Sequence, residues 1–273
     1  MKDAKKKDVI MFYYQIIVTF FLFGLCIGSF MNVCIYRLPV SKSIVHPRSM
    51  CPKCGSMIKS YDNIPVFSYL WLRAQCRYCS VHIPVRYPLV ELASGLFAVC
   101  VFLKFSLTPE ALVYYAFISS LLVITFIDID HQIIPDVITL SGILIFFLGS
   151  FVLPGMVYTD ALLGMLAGGG SLFAVAWIYR RVAGKEGMGG GDVKLLAMMG
   201  TIIGWKGVIF TIFVSSAVGT LVGIIVMLYK RKNMKLAVPF GPFLSVGAIT
   251  YVFFGQEIIN WYFNLSLMKY GGM

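Results

Sequence analysis

The composition of this 273-residue chain excludes most classes of soluble protein. Hydrophobic residues make up 59% of the chain and charged residues only 13%, against about 45–50% and about 25% in ordinary soluble domains. A soluble core of this size could not bury so much apolar surface, so the composition indicates a polytopic membrane protein. The net charge is +11. In a membrane protein such an excess of Lys and Arg usually lies in cytoplasmic loops, so we expect no nucleic-acid partner.

Uncharged stretches predict an all-α fold with about eight transmembrane helices. About 20 apolar residues cross a bilayer core, and most of the stretches reach that length; the second and sixth do so only with flanking residues included. The predicted spans are residues 9–36, 88–103, 111–127, 137–159, 161–179, 192–205, 207–229 and 236–256.

The distribution of basic residues predicts which side of the membrane each loop occupies. Eight Lys or Arg residues lie between Arg37 and Arg86, and further basic residues follow the fifth and seventh spans. With eight spans these three segments share one side, which the positive-inside rule makes cytoplasmic. The same count places the lysine-rich N-terminal tail outside, so the direction of the first span stays open.

Four of the seven cysteines form two closely spaced pairs that are separated by 21 residues. The pairs are Cys51 with Cys54, and Cys76 with Cys79. Two such thiolate pairs can form a four-sulfur zinc site, and a site without an open coordination position is structural. Gly55 and Ser80, which follow the pairs, suit tight metal-binding turns. Two disulfides are the alternative, although a reducing cytosol favours free thiols.

The other cysteines and the nearby histidines have plainer interpretations. Cys26, Cys34 and Cys100 lie in apolar spans, where we expect small buried hydrophobic residues. His46 and His82 lie near the cysteine pairs, and we expect them to be loop residues rather than metal ligands.

Acidic residues are rare in this chain, so their positions are informative. Asp128, Asp130 and Asp136 lie at a span boundary, and Asp192 follows a flexible glycine turn. Two carboxylates on different helices can share one proton, so that one acts as a general base on water. The alternatives are an ion or proton pathway and simple helix caps.

Two further acids, Glu91 and Glu257, occur singly near span ends. We expect each of them to have a structural or interfacial role, with contact to a substrate as the lesser alternative.

Five blocks of the sequence resemble the type IV prepilin peptidases, which are bifunctional membrane enzymes. The blocks are residues 28–39, 51–92, 128–136, 189–194 and 238–242. The Gly-x-Gly-Asp block that ends in Asp192 is shared with other intramembrane aspartyl proteases. The resemblance implies that Asp128 is the first catalytic aspartate, that Asp192 is the second, and that Asp130 and Asp136 have supporting roles.

The resemblance also implies an activity, a substrate class and a location. Such enzymes cut the basic leader from type IV prepilins or pseudopilins at the cytoplasmic face of the bacterial inner membrane. They then methylate the new N-terminus with S-adenosylmethionine, for which this sequence offers no G-x-G-x-x-G motif after a strand. An ion-coupled transporter with a zinc-stabilised loop is the alternative; a structural scaffold is a third possibility.

The sequence therefore predicts three regions. Residues 1–36 form a tail and the first span, residues 37–88 form a cytoplasmic zinc loop with four cysteine ligands, and residues 89–273 form a transmembrane aspartyl peptidase domain.

Overall fold

The computed structural model describes residues 2–185, 189–230 and 239–270, and these residues are predominantly helical. They contain no β-strand, only two isolated bridges between Met50 and Met57 and between Gln75 and His82. The helices are α1 (Lys2–Arg37), α2 (Phe67–Trp71), α3 (Arg86–Phe105), α4 (Pro109–His131), α5 (Asp136–Ser150), α6 (Tyr158–Ala183), α7 (Gly190–Lys230) and α8 (Gly241–Tyr270), with short 3-10 turns at Leu38–Val40 and Ser60–Asn63. The all-α membrane fold is confirmed.

The predicted count of eight spans is not confirmed. Within the described ranges, six helices are long and apolar enough to cross a membrane, whereas α5 has only 15 residues. The predicted sixth and seventh spans both lie in the 41 residues of α7, which consists of two helical segments that meet at a kink. Gly204 interrupts α7 with φ 64° and ψ 179°, a backbone conformation that L-residues avoid because of their Cβ atom.

Some predicted features fall on residues outside the described ranges. They include part of the glycine turn before Asp192, Val238 of the last family block, and most of the basic segment after α7.

The described chain forms two compact units, Met1–Val123 and Ile124–Met273. In the first unit, α1 and α3 pack antiparallel with their backbones in close contact. A Cβ on Gly24 would lie 2.7 Å from the Cα of Gly95, and one on Gly28 would lie 2.6 Å from the Cα of Glu91. Small residues allow such close approach between membrane helices, and the Ser94 hydroxyl donates a hydrogen bond to the Gly24 carbonyl at 2.6 Å.

In the second unit, the first half of α7 lies at the centre of the helix packing. Leu195, Leu196, Met198 and Met199 are all fully buried, as expected for a helix that is apolar on every side. Helix α6 crosses this segment at a glycine contact, because a Cβ on Gly164 would overlap the carbonyl oxygen of Gly200. The segment that begins with Asp192 is therefore fixed by close packing.

We predict that Gly164→Ala destabilises the second unit, whereas Gly170→Ala in the same helix does not. The Gly164 methyl group would also lie 2.7 Å from the Cα of Gly204, and backbone atoms cannot move aside easily. Overpacking of this kind costs about 1–3 kcal/mol. Nothing lies within 4 Å of a Cβ at Gly170, so the better helix propensity of alanine makes that change neutral or slightly stabilising.

Thermal unfolding of the two variants in the same detergent measures this difference. Equal unfolding temperatures for Gly164→Ala and Gly170→Ala would contradict the packing of α6 on α7.

Candidate active site and cysteine cluster

Asp128 is a buried carboxylate near the end of α4. Its residue is only 5% exposed, and its Oδ2 atom accepts a hydrogen bond from the backbone N–H of Gly241 at 3.0 Å. Gly241 begins α8, where the first N–H groups have no partner within the helix. A Cβ at this position would lie 2.7 Å from Asp128 Oδ2, so glycine is what allows the backbone to approach the carboxylate.

Asp192 is half-buried in the first turn of α7. The structure brings it close enough to Asp128 for the two carboxylates to interact electrostatically. Ile134, in the connection between α4 and α5, lies against both neighbouring glycines. A Cβ on Gly191 would lie 2.9 Å from Ile134 Cβ, and a Cβ on Gly241 would lie 3.5 Å from Ile134 Cδ1. One side chain thus joins the glycine beside Asp192 to the glycine that binds Asp128.

The other two acids of this region lie outside the carboxylate pair. Asp136 begins α5, and both of its carboxylate oxygens lie 2.8 Å from the Lys194 ammonium group. This exposed ion pair links the first turns of α5 and α7. Asp130 is exposed near the end of α4.

The chemistry that two adjacent carboxylates can perform follows from their charge. Two like charges a few ångströms apart do not both ionise readily, so such a pair holds one proton between them. The ionised member can accept a proton from water while the protonated member donates one to a carbonyl oxygen. Because Asp128 and Asp192 are brought together in this way, the arrangement fits an aspartyl protease.

The four paired cysteines lie together in the loop between α1 and α3. Their sulfur atoms all lie within 4.8 Å of one another, and the sulfurs of Cys51 and Cys79 are 3.7 Å apart. Tetrahedral zinc with Zn–S bonds of about 2.3 Å separates its sulfurs by about 3.8 Å. All seven cysteines are free thiols, so the two-disulfide alternative is not supported, and the cluster could hold a metal ion.

Each cysteine pair sits on a turn of the same design. The N–H of Gly55 bonds to the carbonyl of Cys51 and that of Ser80 to the carbonyl of Cys76, both at 2.9 Å. Gly55 and Ser80 have φ of 70° and 53°, which explains the small residues that follow the pairs. Hydrogen bonds with the side chain and backbone of Ser56 lower the pKa of Cys54 to about 6. Desolvation and the neighbouring cysteine thiols raise the pKa of Cys79 to about 11, so the four thiols do not ionise alike without a metal ion.

A bidentate ion pair braces the loop next to the cluster. The Arg77 guanidinium contacts both carboxylate oxygens of Asp62, at 2.5 to 3.1 Å. The hydrogen bonds and charge of Arg77 hold the pKa of Asp62 below its ordinary value. Since Arg77 lies between Cys76 and Cys79, the ion pair connects the second cysteine turn to the 3-10 turn at Ser60–Asn63.

The expectations for the remaining cysteines and histidines are met in part. Cys34 is buried, but Cys26 and Cys100 are exposed on their helices. The prediction that all three are buried was therefore wrong, because apolar composition does not distinguish a core-facing from a lipid-facing position. His46 and His82 are exposed, and neither belongs to the cysteine cluster.

The two single acids differ from each other. Glu91 is buried and accepts a hydrogen bond from the backbone N–H of Val66 at 2.7 Å, which fits a structural role. Glu257 is exposed on α8.

Sequence reasoning missed two residues that shape the carboxylate site, namely Ile134 and the N–H donor Gly241. Gly241 belongs to the family block at residues 238–242, so a signal was present, but nothing in that block indicates which carboxylate it binds. Ile134 lies between Asp128 and Pro135, where its role depends on a contact that only the fold reveals.

The fold and the site define a class, a multi-pass membrane protein with two aspartates at adjoining helix ends. Sequence comparisons identify the family. Residues 22–105 match the Bacterial Peptidase A24 N-terminal domain, and residues 115–224 match the Type IV leader peptidase family. The chain therefore belongs to the type IV leader peptidase family.

Several similar proteins are named Prepilin leader peptidase/N-methyltransferase. The one from Pseudomonas putida is 37% identical over 257 residues, which cover 86% of this chain and 89% of the relative. The one from Aeromonas hydrophila is 37% identical over 270 residues, covering 89% and 92%, and the one from Myxococcus xanthus is 41% identical over 211 residues, covering 77% and 63%. No solved structure matches the chain. The family is one of peptidases, so the transporter alternative is unsupported.

Proposed function

We propose that this protein removes the leader peptide of type IV prepilins or pseudopilins with Asp128 and Asp192 as its catalytic pair. The proposal depends on the placement of Asp128 at the end of α4 and of Asp192 at the start of α7, where the two carboxylates interact electrostatically and Ile134 lies against the glycine next to each of them. Glycine beside each carboxylate allows a backbone to approach it closely. The family and the names of the relatives support the same substrate class.

In this mechanism the two aspartates hold a water molecule between them. One carboxylate removes a proton from the water, and the other donates its proton to the oxygen of the scissile carbonyl. The tetrahedral intermediate then collapses, and the amine leaves with a proton. The hydrogen bond from the Gly241 N–H fixes the orientation of the Asp128 carboxylate during these transfers.

We further propose that the pair and the cysteine loop face the cytoplasm of a bacterial inner membrane. Eight Lys or Arg residues between Arg37 and Arg86 surround the cysteine cluster, and Arg180 and Arg181 lie in the last turn of α6, just before the helix that carries Asp192. The positive-inside rule favours the cytoplasmic side for such basic segments. A substrate would then place its basic leader in the cytosol and its apolar stretch in the surrounding lipid. Membrane lipid and the prepilin are the expected partners.

Structural zinc is the metal that we assign to Cys51, Cys54, Cys76 and Cys79. Their free thiols and sulfur separations fit tetrahedral coordination. When bound, zinc would cross-link the two turns and supply no chemistry to peptide cleavage.

Methylation of the new N-terminus by S-adenosylmethionine is the second activity that we propose. It rests on the names of the relatives. A Rossmann-type site does not fit the described residues, which contain no strand, so we assign no residue to the cofactor.

We predict that Asp128→Asn or Asp192→Asn abolishes leader cleavage while the protein stays folded. Asparagine keeps the shape of aspartate but cannot act as a general base, so the rate should fall by at least about a hundredfold. Asp136→Asn is the matched control, because it removes an exposed carboxylate whose ion pair is worth at most about 1 kcal/mol. Cleavage of a prepilin in membranes measures the activity of the two pair variants and of the control. Normal cleavage by either pair variant would refute the assignment.

We predict that Gly241→Ala lowers the cleavage rate by about tenfold to a hundredfold, because its methyl group displaces the Asp128 carboxylate and small displacements at a reacting group are costly. Gly190→Ala is the control from the same site, since nothing lies within 4 Å of a Cβ there. Single-turnover cleavage at saturating substrate separates this effect from weaker binding. Equal rates for both variants would show that the Gly241 contact does not matter for catalysis.

We predict that reduced protein purifies with one zinc ion per chain and that Cys54→Ser lowers both the zinc content and the unfolding temperature, because structural metal contributes to folding. Cys100→Ser, an exposed cysteine outside the cluster, should change neither. Elemental analysis and thermal unfolding measure the two quantities. Freshly reduced protein without zinc would contradict the metal assignment.

We predict that Asp192→Asn protein still methylates a substrate that already lacks its leader. Methyl transfer needs a deprotonated α-amine, whose reference pKa is about 7.7–8.0, and does not need the carboxylate pair. We place the second site at the basic loop between α1 and α3, so changes at residues 61–65 or 86–91 should weaken methylation more than cleavage. Radiolabelled methyl incorporation and cleavage are measured on the same variants, and parallel loss of both activities would contradict separate sites.

A further inference from the structure

The loop between α1 and α3 contains a strained turn at Val66, with φ 60° and ψ −48°. The N–H of Phe67 donates to the carbonyl of Pro65 at 2.5 Å, which makes this a γ-turn with positive φ. Such turns are rare and strained, and a β-branched residue is least suited to positive φ. Strain of this kind persists only where the surrounding structure imposes it.

Buried polar side chains impose this turn. The Glu91 Oε2 atom accepts the N–H of Val66 at 2.7 Å, and the buried Ser68 hydroxyl accepts the N–H of Ile64 at 3.1 Å and donates to the carbonyl of Tyr61 at 2.9 Å. Glu91 lies five residues into α3, or about 7.5 Å along the helix axis at 1.5 Å per residue. The turn is therefore held beside the second turn of a membrane-spanning helix.

The turn leads directly into α2, whose apolar side chains face outward. Phe67, Leu70 and Trp71 occupy one face of this short helix, and Leu70 and Trp71 are 68% and 72% exposed. The rings of Phe67 and Trp71 are stacked, with centroids 6.0 Å apart. Ser68 is buried on the opposite side. A strained turn thus presents three large apolar side chains away from the protein.

The charge around this face favours an anionic surface. Residues 37–86 contain eight Lys or Arg residues and a single acid, Asp62, and Asp62 is already paired with Arg77. Lys59 and Arg73 flank the segment on either side and are exposed. Exposed apolar and aromatic side chains between basic residues are the composition that binds the boundary between lipid headgroups and acyl chains.

We propose that Phe67, Leu70 and Trp71 form a lipid anchor that inserts into the bilayer surface beside α3. The depth of the turn along α3 places these side chains at the level where the helix enters the membrane. The buried Glu91 carboxylate is the positioning residue that keeps α2 at this depth. This proposal depends only on the membrane fold, so it stands or falls independently of the proposed peptidase.

Trp71 fluorescence in the full-length protein tests the anchor. The variant Trp177→Phe with Trp205→Phe and Trp261→Phe leaves Trp71 as the single tryptophan, since the chain has four. It is placed in nanodiscs that contain phosphatidylglycerol, with lipids brominated on the acyl chains as a membrane quencher and iodide as an aqueous quencher. We expect a blue-shifted emission, loss of most of the intensity with brominated lipid, and little loss with iodide.

A control variant moves the probe within the same loop. It carries Trp71→Phe and Tyr61→Trp in the same background, and Tyr61 is exposed beside Lys59 and Arg77. We expect this tryptophan to be quenched by iodide rather than by lipid. Adding Glu91→Ala to the Trp71 probe should shift the quenching of Trp71 from brominated lipid toward iodide, because the turn at Val66 loses its hydrogen bond to α3.

Two results would overturn the proposal. Quenching of Trp71 by iodide alone would show that the face is in water. Protection of Trp71 from both quenchers would show that protein, not lipid, covers the face. If this protection appears only when a prepilin is present, the covering protein is the substrate; otherwise it is another part of this chain. Monodisperse elution and unchanged circular dichroism of each variant confirm that the fold is intact.

Discussion

Contact between helix backbones at glycine is the constraint on which the rest of this structure depends. In a bilayer, apolar side chains are as well solvated by lipid as by one another, so helices gain specificity from close packing and hydrogen bonds. Gly24 and Gly28 let α1 approach α3, and Gly164 and Gly200 let α6 approach α7. The second contact fixes the beginning of α7, and with it the position of Asp192.

Glu91 and Asp128 are both buried acids, and the chain uses both in the same way. Each lies near an end of a membrane-spanning helix and accepts a backbone N–H from a distant segment, from Val66 and from Gly241 respectively. A buried carboxylate without a hydrogen bond is very costly, and the first N–H groups of a helix need acceptors. Each hydrogen bond therefore satisfies both the buried carboxylate and the backbone N–H. It also holds the segment that contains the N–H, Val66 or Gly241, against the membrane-spanning helix.

The sequence predicted those features that depend on composition and short spacing. The all-α membrane fold, the clustering of the four cysteines, the tight turns at Gly55 and Ser80 and the helix boundaries around Asp128 and Asp192 all follow from local patterns. The span predicted at residues 137–159 is too long, because that stretch is apolar throughout although α5 ends at Ser150. Hydropathy also cannot show which faces of α1 and α3 contact lipid, as the exposed Cys26 and Cys100 illustrate.

What distinguishes the catalytic candidate from the other buried acid is its neighbour. Within the described residues, Glu91 interacts with a serine hydroxyl and a backbone amide and with no second carboxylate, so it can hold a turn but cannot share a proton. Asp128 has the same kind of amide partner and, in addition, the carboxylate of Asp192. Burial and scarcity of charge would select both acids as functional candidates. Only the pair could provide a base and an acid at one place, and for that reason we propose the peptidase chemistry for the second unit rather than for the first.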